Sequence, residues 1–184
     1  MKTLKKILKI FLSLIIILVL GFIGLILYAI VSDYKPDEKE LLASPENPSV
    51  LKDSSVYSLL TWNIGYAGLD KNMDFFKDGG TRVFTPEENL QENIGAIKAF
   101  LTDNDTVDFV LLQEVDRNSK RSYRTDQYQG ISQSLSGHVP FFAKNYDVFF
   151  VPVPPSDPMG KVVSGIATCS EYVPVSSIRY SLPG

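Results

Sequence analysis

The sequence predicts an α/β domain carried behind a single N-terminal membrane-spanning helix, and three observations predict it. Residues 10–32 form a charge-free apolar run. A strand, a helix and a second strand then follow one another within about 60 residues, and short β segments fill the remainder. Hydrophobic residues make up 45% of the 184-residue chain, so the uneven placement of that apolar content matters more than its amount.

The run from Ile10 to Ser32, IFLSLIIILVLGFIGLILYAIVS, is roughly 34 Å long as a helix at about 1.5 Å per residue. That length crosses a hydrocarbon core of about 30 Å with slight tilt. Lys2, Lys5, Lys6 and Lys9 precede it, and Asp33 with the acidic stretch Asp37–Glu40 follows. The positive-inside bias therefore keeps residues 1–9 as a basic cytoplasmic tail and sends the rest across. Tyr28 falls at the interfacial end. A cleaved signal peptide has a shorter apolar region, about 7–15 residues, and a small-x-small cleavage site. Here the run is longer, and the residues near its end include the bulky Val31. The expectation is a single-pass cell-membrane protein, held in the lipid bilayer by residues 10–32, with its domain outside the cytoplasm.

Beyond residue 32 the chain carries 14 Lys and Arg (18 less the four that precede the helix) against 21 Asp and Glu, a net charge of −7. Affinity for nucleic-acid phosphates comes largely from Lys and Arg, so this domain is no electrostatic nucleic-acid binder, although a nuclease with a metal cation stays open. The lone Cys169 excludes an internal disulfide. It sits in the apolar stretch GIATC and reads as an inert core thiol.

Residues 33–53, DYKPDEKELLASPENPSVLKD, mix charge, proline and serine without periodicity and read as a stalk. The folded domain is expected over 54–184. Val56–Asn63 (VYSLLTWN) is rich in β-formers and reads as a buried strand. A long loop, Ile64–Phe84, follows; its aromatics could cover a site or simply pack. Thr85, Pro86 and Glu88 form a Thr-x-x-Glu capping box with proline at the first helical position. Leu90, Ile94, Ile97 and Leu101 then mark one apolar helix stripe. Asp108–Val115 (DFVLLQEV) is a second buried strand. Strand, helix and strand make a βαβ unit with parallel, neighbouring strands. A weaker helix is predicted over Asp126–Ser136. β segments follow at Asp147–Val153, Gly165–Cys169 and Val175–Tyr180, with a loop at Pro154–Lys161.

Open α/β sheets bind ligands at the carboxyl ends of such strands, which here are Asn63 and Glu114. An amide oxygen and one carboxylate at a sheet edge suit Mg²⁺, which accepts one or two carboxylates and keeps waters and substrate phosphate. By spacing alone, a glutamate at a strand end is more often solvated or salt-bridged than a metal ligand.

LLTWNIGYAGL (Leu59–Leu69) followed by FVLLQEVD (Phe109–Asp116) resembles the endonuclease/exonuclease/phosphatase family, as do NYDVFFVPVP (Asn145–Pro154) and SGIATCS (Ser164–Ser170). The resemblance implies a four-layer sandwich of two facing mixed sheets with outer helices, of which this chain would hold the N-terminal half. It implies Mg²⁺, or Mn²⁺ in its place, with Glu114 as principal ligand and Asn63 beside it. The family's Gly-Asp-x-Asn, Asn-x-His and Ser-Asp-His blocks do not occur: Ser156-Asp157 runs into Pro158, and the one histidine, His138, reads as structural or surface. The catalytic residues are thus expected beyond residue 184, and the chain by itself is expected to be inactive. Arg117, Lys120, Arg121 and Arg124 could clamp a substrate phosphate, Arg121 foremost, since guanidinium matches phosphate bidentately, or could equally form a solvated loop in an acidic protein. Tyr146 and Lys161 are further candidates for the substrate groove. The expected function is a membrane-anchored Mg²⁺-dependent phosphoester hydrolase, acting on nucleic acid, phospholipid head groups or small phosphate esters. The alternative is a non-catalytic membrane-anchored binding or remnant module.

Overall fold

A computed structural model describes residues 2–182; Met1 of the expected tail and residues 183–184 of the expected domain lie outside them. The chain divides into two units, one ending at Asp33 and the other beginning at Tyr34. The first is helix α1, Lys2–Val31, which takes in the lysine-bearing segment as well as the apolar run. Its window from Thr3 to Val31 is long and apolar enough to cross a membrane and is not buried by protein.

The second unit is a mixed α/β domain. Its four-stranded sheet has the order β2 (Leu59–Asn63), β3 (Phe109–Asp116), β5 (Gly160–Ser170), β4 (Val139–Val151). β2 and β3 are parallel, Leu60 facing Val110 and Trp62 facing Leu112, as the βαβ spacing predicts. The β3–β5 and β5–β4 pairs are antiparallel. Helices α2 (Glu87–Asp103) and α3 (Gln127–Ser134) cover one face. Alternation sends Val110, Leu112, Ala167 and Cys169 to that face, where they meet Leu90, Ile97, Leu101, Ile131 and Leu135 in one buried core. The other face keeps Leu59, Thr61 and Ile166 exposed. β2 lies at the sheet edge with alternate residues open to solvent, so it is half-buried and not the buried strand expected.

The expected stalk needs correction. Residues 39–43 form β1, which pairs antiparallel with β6 (Ser177–Tyr180) in a separate two-stranded sheet, Leu41 facing Ile178. Ser49 N–H donates to Val173 O and Val173 N–H to Ser49 Oγ. Tyr34 lies under the Lys144 ammonium, 4.2 Å from its ring centroid, and donates its hydroxyl to Lys144 O. Backbone groups in KELLA find ladder partners from a distant segment, which composition could not reveal. The domain therefore starts at Tyr34.

Two smaller corrections concern α2 and β4. The capping box does not close: Pro86 holds the N-cap position without a side-chain bond, and Thr85 is buried with its carbonyl taken by the Tyr123 hydroxyl. β4 begins at Val139, eight residues before the expected start at Asp147, and pairs with β5 over most of its length. α3 meets its expectation within two residues, Asp126 accepting from Gln129 N–H as its N-cap.

Candidate metal and phosphate site

The carboxyl end of β2 and the bulged part of β3 open into a cleft of about 540 Å³. Between Leu112, which faces Ala167, and Val115, which faces Gly165, two residues of β3 stand opposite the single Ile166. This β-bulge turns the strand locally and carries Gln113 and Glu114 into the cleft wall. Glu114 has φ 54°, a left-handed conformation costly for a residue with a side chain. The surrounding ladder holds it there.

Asn63 fixes the Glu114 carboxylate. Gly65 N–H can only donate, and it donates to Asn63 Oδ1 at 2.9 Å, which orients the amide. Asn63 Nδ2 then donates to Glu114 Oε1, also at 2.9 Å. The turn after Asn63 runs through three left-handed residues, Gly65, Tyr66 and Ala67 (φ 52°, 43° and 55°). At Gly65 a side chain would also press on Leu69, so glycine suits the position twice over.

That turn is held from the opposite side by the segment after β3. Asp116 is fully buried; it accepts from Arg121 Nε and Nη2 at 3.0 and 2.9 Å and from Ser122 Oγ at 2.9 Å. Arg121, with 13% of its side chain exposed, lies 3.8 Å from the Tyr66 ring centroid. Burial works against its charge, but the bond to Asp116 and the surrounding acids hold its pKa above the usual arginine value. Gln127 completes the frame, donating to Tyr66 O at 2.7 Å and accepting from Asp116 N–H. Tyr66 itself is 2% exposed, and burial foremost pushes its phenol up to about 12.

Four of the five sequence-predicted residues, Asn63, Glu114, Arg121 and Tyr146, line this one cleft. Tyr146 reaches it from β4, where it faces Ser164 of β5. Lys161 is not among the lining residues: Ser164 and Ile166 share one phase of β5 and line the cleft, and Lys161 is out of phase with both. The basic cluster disperses. Arg117 pairs with Asp126 at 2.8 Å and stacks over Tyr128 and Phe142, and Lys120 donates to Pro158 O and sits over Phe84. His138 is buried with Nε2 2.7 Å from Val107 O, in keeping with a structural role.

No family model, curated protein or solved structure matches the chain.

The loop between β2 and α2 packs, and part of it also borders the cleft. Phe75 and Phe76 pack with Phe84 around Val83, Met159 and Val162, while Phe75, Leu69 and Lys77 also line the cleft. Sequence reading missed Tyr66, Asp116, Gln127 and Ser164. One signal was available: apolar Leu112 and Val115 are three apart in a strand of period two, which is the mark of a bulge. Among the described residues no three His, Cys, Asp or Glu side chains gather as a metal cluster. The donor set is one carboxylate with a free Oε2 and an amide oxygen already holding one N–H. That sparse oxygen set fits Mg²⁺, which takes most of its ligands from water and phosphate.

Proposed function

We propose that this protein is a membrane-anchored, Mg²⁺-dependent phosphoester hydrolase of the endonuclease/exonuclease/phosphatase type. The observation that carries the reading is the meeting of Asn63, Glu114, Arg121 and Tyr146 in one cleft, from four separate stretches of chain. Glu114 would hold the metal, and Asn63 would orient the carboxylate through its amide. Bound there, Mg²⁺ would neutralise phosphate charge and polarise the phosphoryl oxygen. Arg121 would add a fixed positive edge to the cleft, its direction set by Asp116. On this reading the four-stranded sheet with α2 and α3 on one face is half of a four-layer sandwich, and its open face is the one a second sheet would cover. α1 would keep the domain outside the cytoplasmic membrane, so the substrate is a phosphoester met there: nucleic acid, a phospholipid head group or a small ester.

Mn²⁺ binding followed by electron paramagnetic resonance tests the metal assignment. In the presence of phosphate the whole chain in detergent micelles should hold one Mn²⁺, and Glu114→Gln should weaken it at least about ten-fold. Equal binding by both proteins would sink the assignment. A second reading, an anchored binding module without catalysis, draws on the absence of a clustered acid or histidine set among the described residues. Mg²⁺-dependent phosphodiester turnover by the native gene product in its own membranes selects the enzyme, and metal binding without turnover selects the module.

A further inference from the structure

Tyr66 carries a polar atom that the fold leaves unused. Its hydroxyl is shielded from solvent and has no hydrogen-bond partner, although Tyr66 is one of the residues lining the cleft that holds Glu114. Everything else about the residue is fixed. Arg121 covers the ring, Gln127 takes the backbone carbonyl, and the backbone is held in the left-handed region. Phenylalanine would fill the same space and stack on the same guanidinium without the cost of an unpaired buried hydroxyl. Among the described residues two other buried polar groups lack partners, His138 Nδ1 and Arg179 Nη1, and neither belongs to a residue lining the cleft.

The chemistry of the neighbours narrows what the hydroxyl is for. Glu114 and Asp116 are acceptors, and Arg121 already spends two donors on Asp116. The phenol stays protonated through the physiological range, so beside these groups it offers a neutral donor. A neutral donor can serve a phosphoryl oxygen without adding a charge that competes with a metal cation for Glu114.

We infer that Tyr66 is a positioning residue of this site, its hydroxyl donating to a non-bridging oxygen of the bound phosphate group. The inference rests on the phosphoester reading above and adds to it a donor on the β2 side of the cleft. A hydrogen bond from a fixed neutral donor to an anionic oxygen is worth about ten-fold in affinity.

The test uses the whole chain in detergent micelles, with tyrosine labelled with ¹³C at Cζ and Mg²⁺ present, titrated with inorganic phosphate against chloride at matched ionic strength. The Tyr66 resonance is the one missing in Tyr66→Phe. It should move saturably with phosphate, and Tyr66→Phe should bind phosphate about ten-fold more weakly while unfolding at the same temperature or higher. A purely structural tyrosine would give no phosphate-dependent shift. If phosphate binds and the Tyr66 resonance stays still, the inference is overturned and the Glu114 reading stands. If the resonance moves in Glu114→Gln as it does in the parent, Tyr66 is upheld and the metal assignment fails. Absence of saturable phosphate binding overturns both.

Discussion

Asp116 shows how much of the cleft's shape resides in a group that does not line it. Its carboxylate is fully buried and takes three side-chain donors, two of them from Arg121. Removing one partner of such a pair strands the other charge in a poorly solvated place. Asp116→Ala should therefore lower the domain's stability by about 3–5 kcal/mol, read from urea unfolding, and loosen the turn at Tyr66. A loss below about 1 kcal/mol would mean that Arg121 finds water instead. Cys169 gives a second check at this scale. Burial pushes its thiol up to about 11, and it is fully enclosed in the main core. A thiol reagent at pH 8 should leave the folded chain unlabelled and label one group after denaturation. Rapid labelling of the native protein would contradict the packing around α3. The closeness of Asn63 and Glu114 was legible in the sequence because a βαβ unit brings the carboxyl-terminal parts of its strands together, although Glu114 sits in a bulge and not at the end of β3. Tyr66 and Asp116 were not. Their roles depend on a left-handed turn and on a loop that folds back onto it, and neither leaves a periodic trace.

At the scale of elements, β2 and β3 are stapled at their amino ends by Asp108. Its carboxylate accepts from Ser58 N–H and Oγ, both at 2.6 Å, and from the Tyr172 hydroxyl at 2.8 Å. The Ser58 contacts first, and Tyr172 after them, hold the carboxyl at about 2, below its ordinary 3.8. A depressed carboxylate pKa contributes stability that is whole above the unfolded value and drains away as pH falls through the folded one. The staple should thus be intact above about pH 4 and lost towards pH 2. Asp108→Asn should flatten the stability–pH curve in that window and leave its shape near neutrality unchanged, as followed by circular dichroism. An unaltered slope between pH 4 and 2 would show that the staple carries no linkage. α2 was readable from its stripe, and Leu90, Ile97 and Leu101 are buried as that stripe requires. β1 was unreadable because five residues among prolines and charges show no pattern of their own, and their partner lies at the far end of the domain.

For the whole molecule, α1 ends at Val31 and the domain begins at Tyr34, leaving two residues between them. The domain boundary is itself open to test. A chain begun at Tyr34 should resist limited proteolysis, whereas one begun at Ser54 should be cut quickly near Ser177–Tyr180, where β6 has lost its partner. Equal resistance would return residues 34–53 to the role of a stalk.

The β1–β6 pair also imposes an order on the making of the protein. Leu41 emerges soon after α1, and its partner Ile178 follows only after the four strands of the larger sheet have been delivered. Closing so long a loop is slow, and the strand edge waits unpaired meanwhile. The small sheet is thus a latch that can shut only once nearly the whole domain has been made. An intermediate stalled before that step would show an open strand edge at residues 39–43, where a quality-control protease could recognise it.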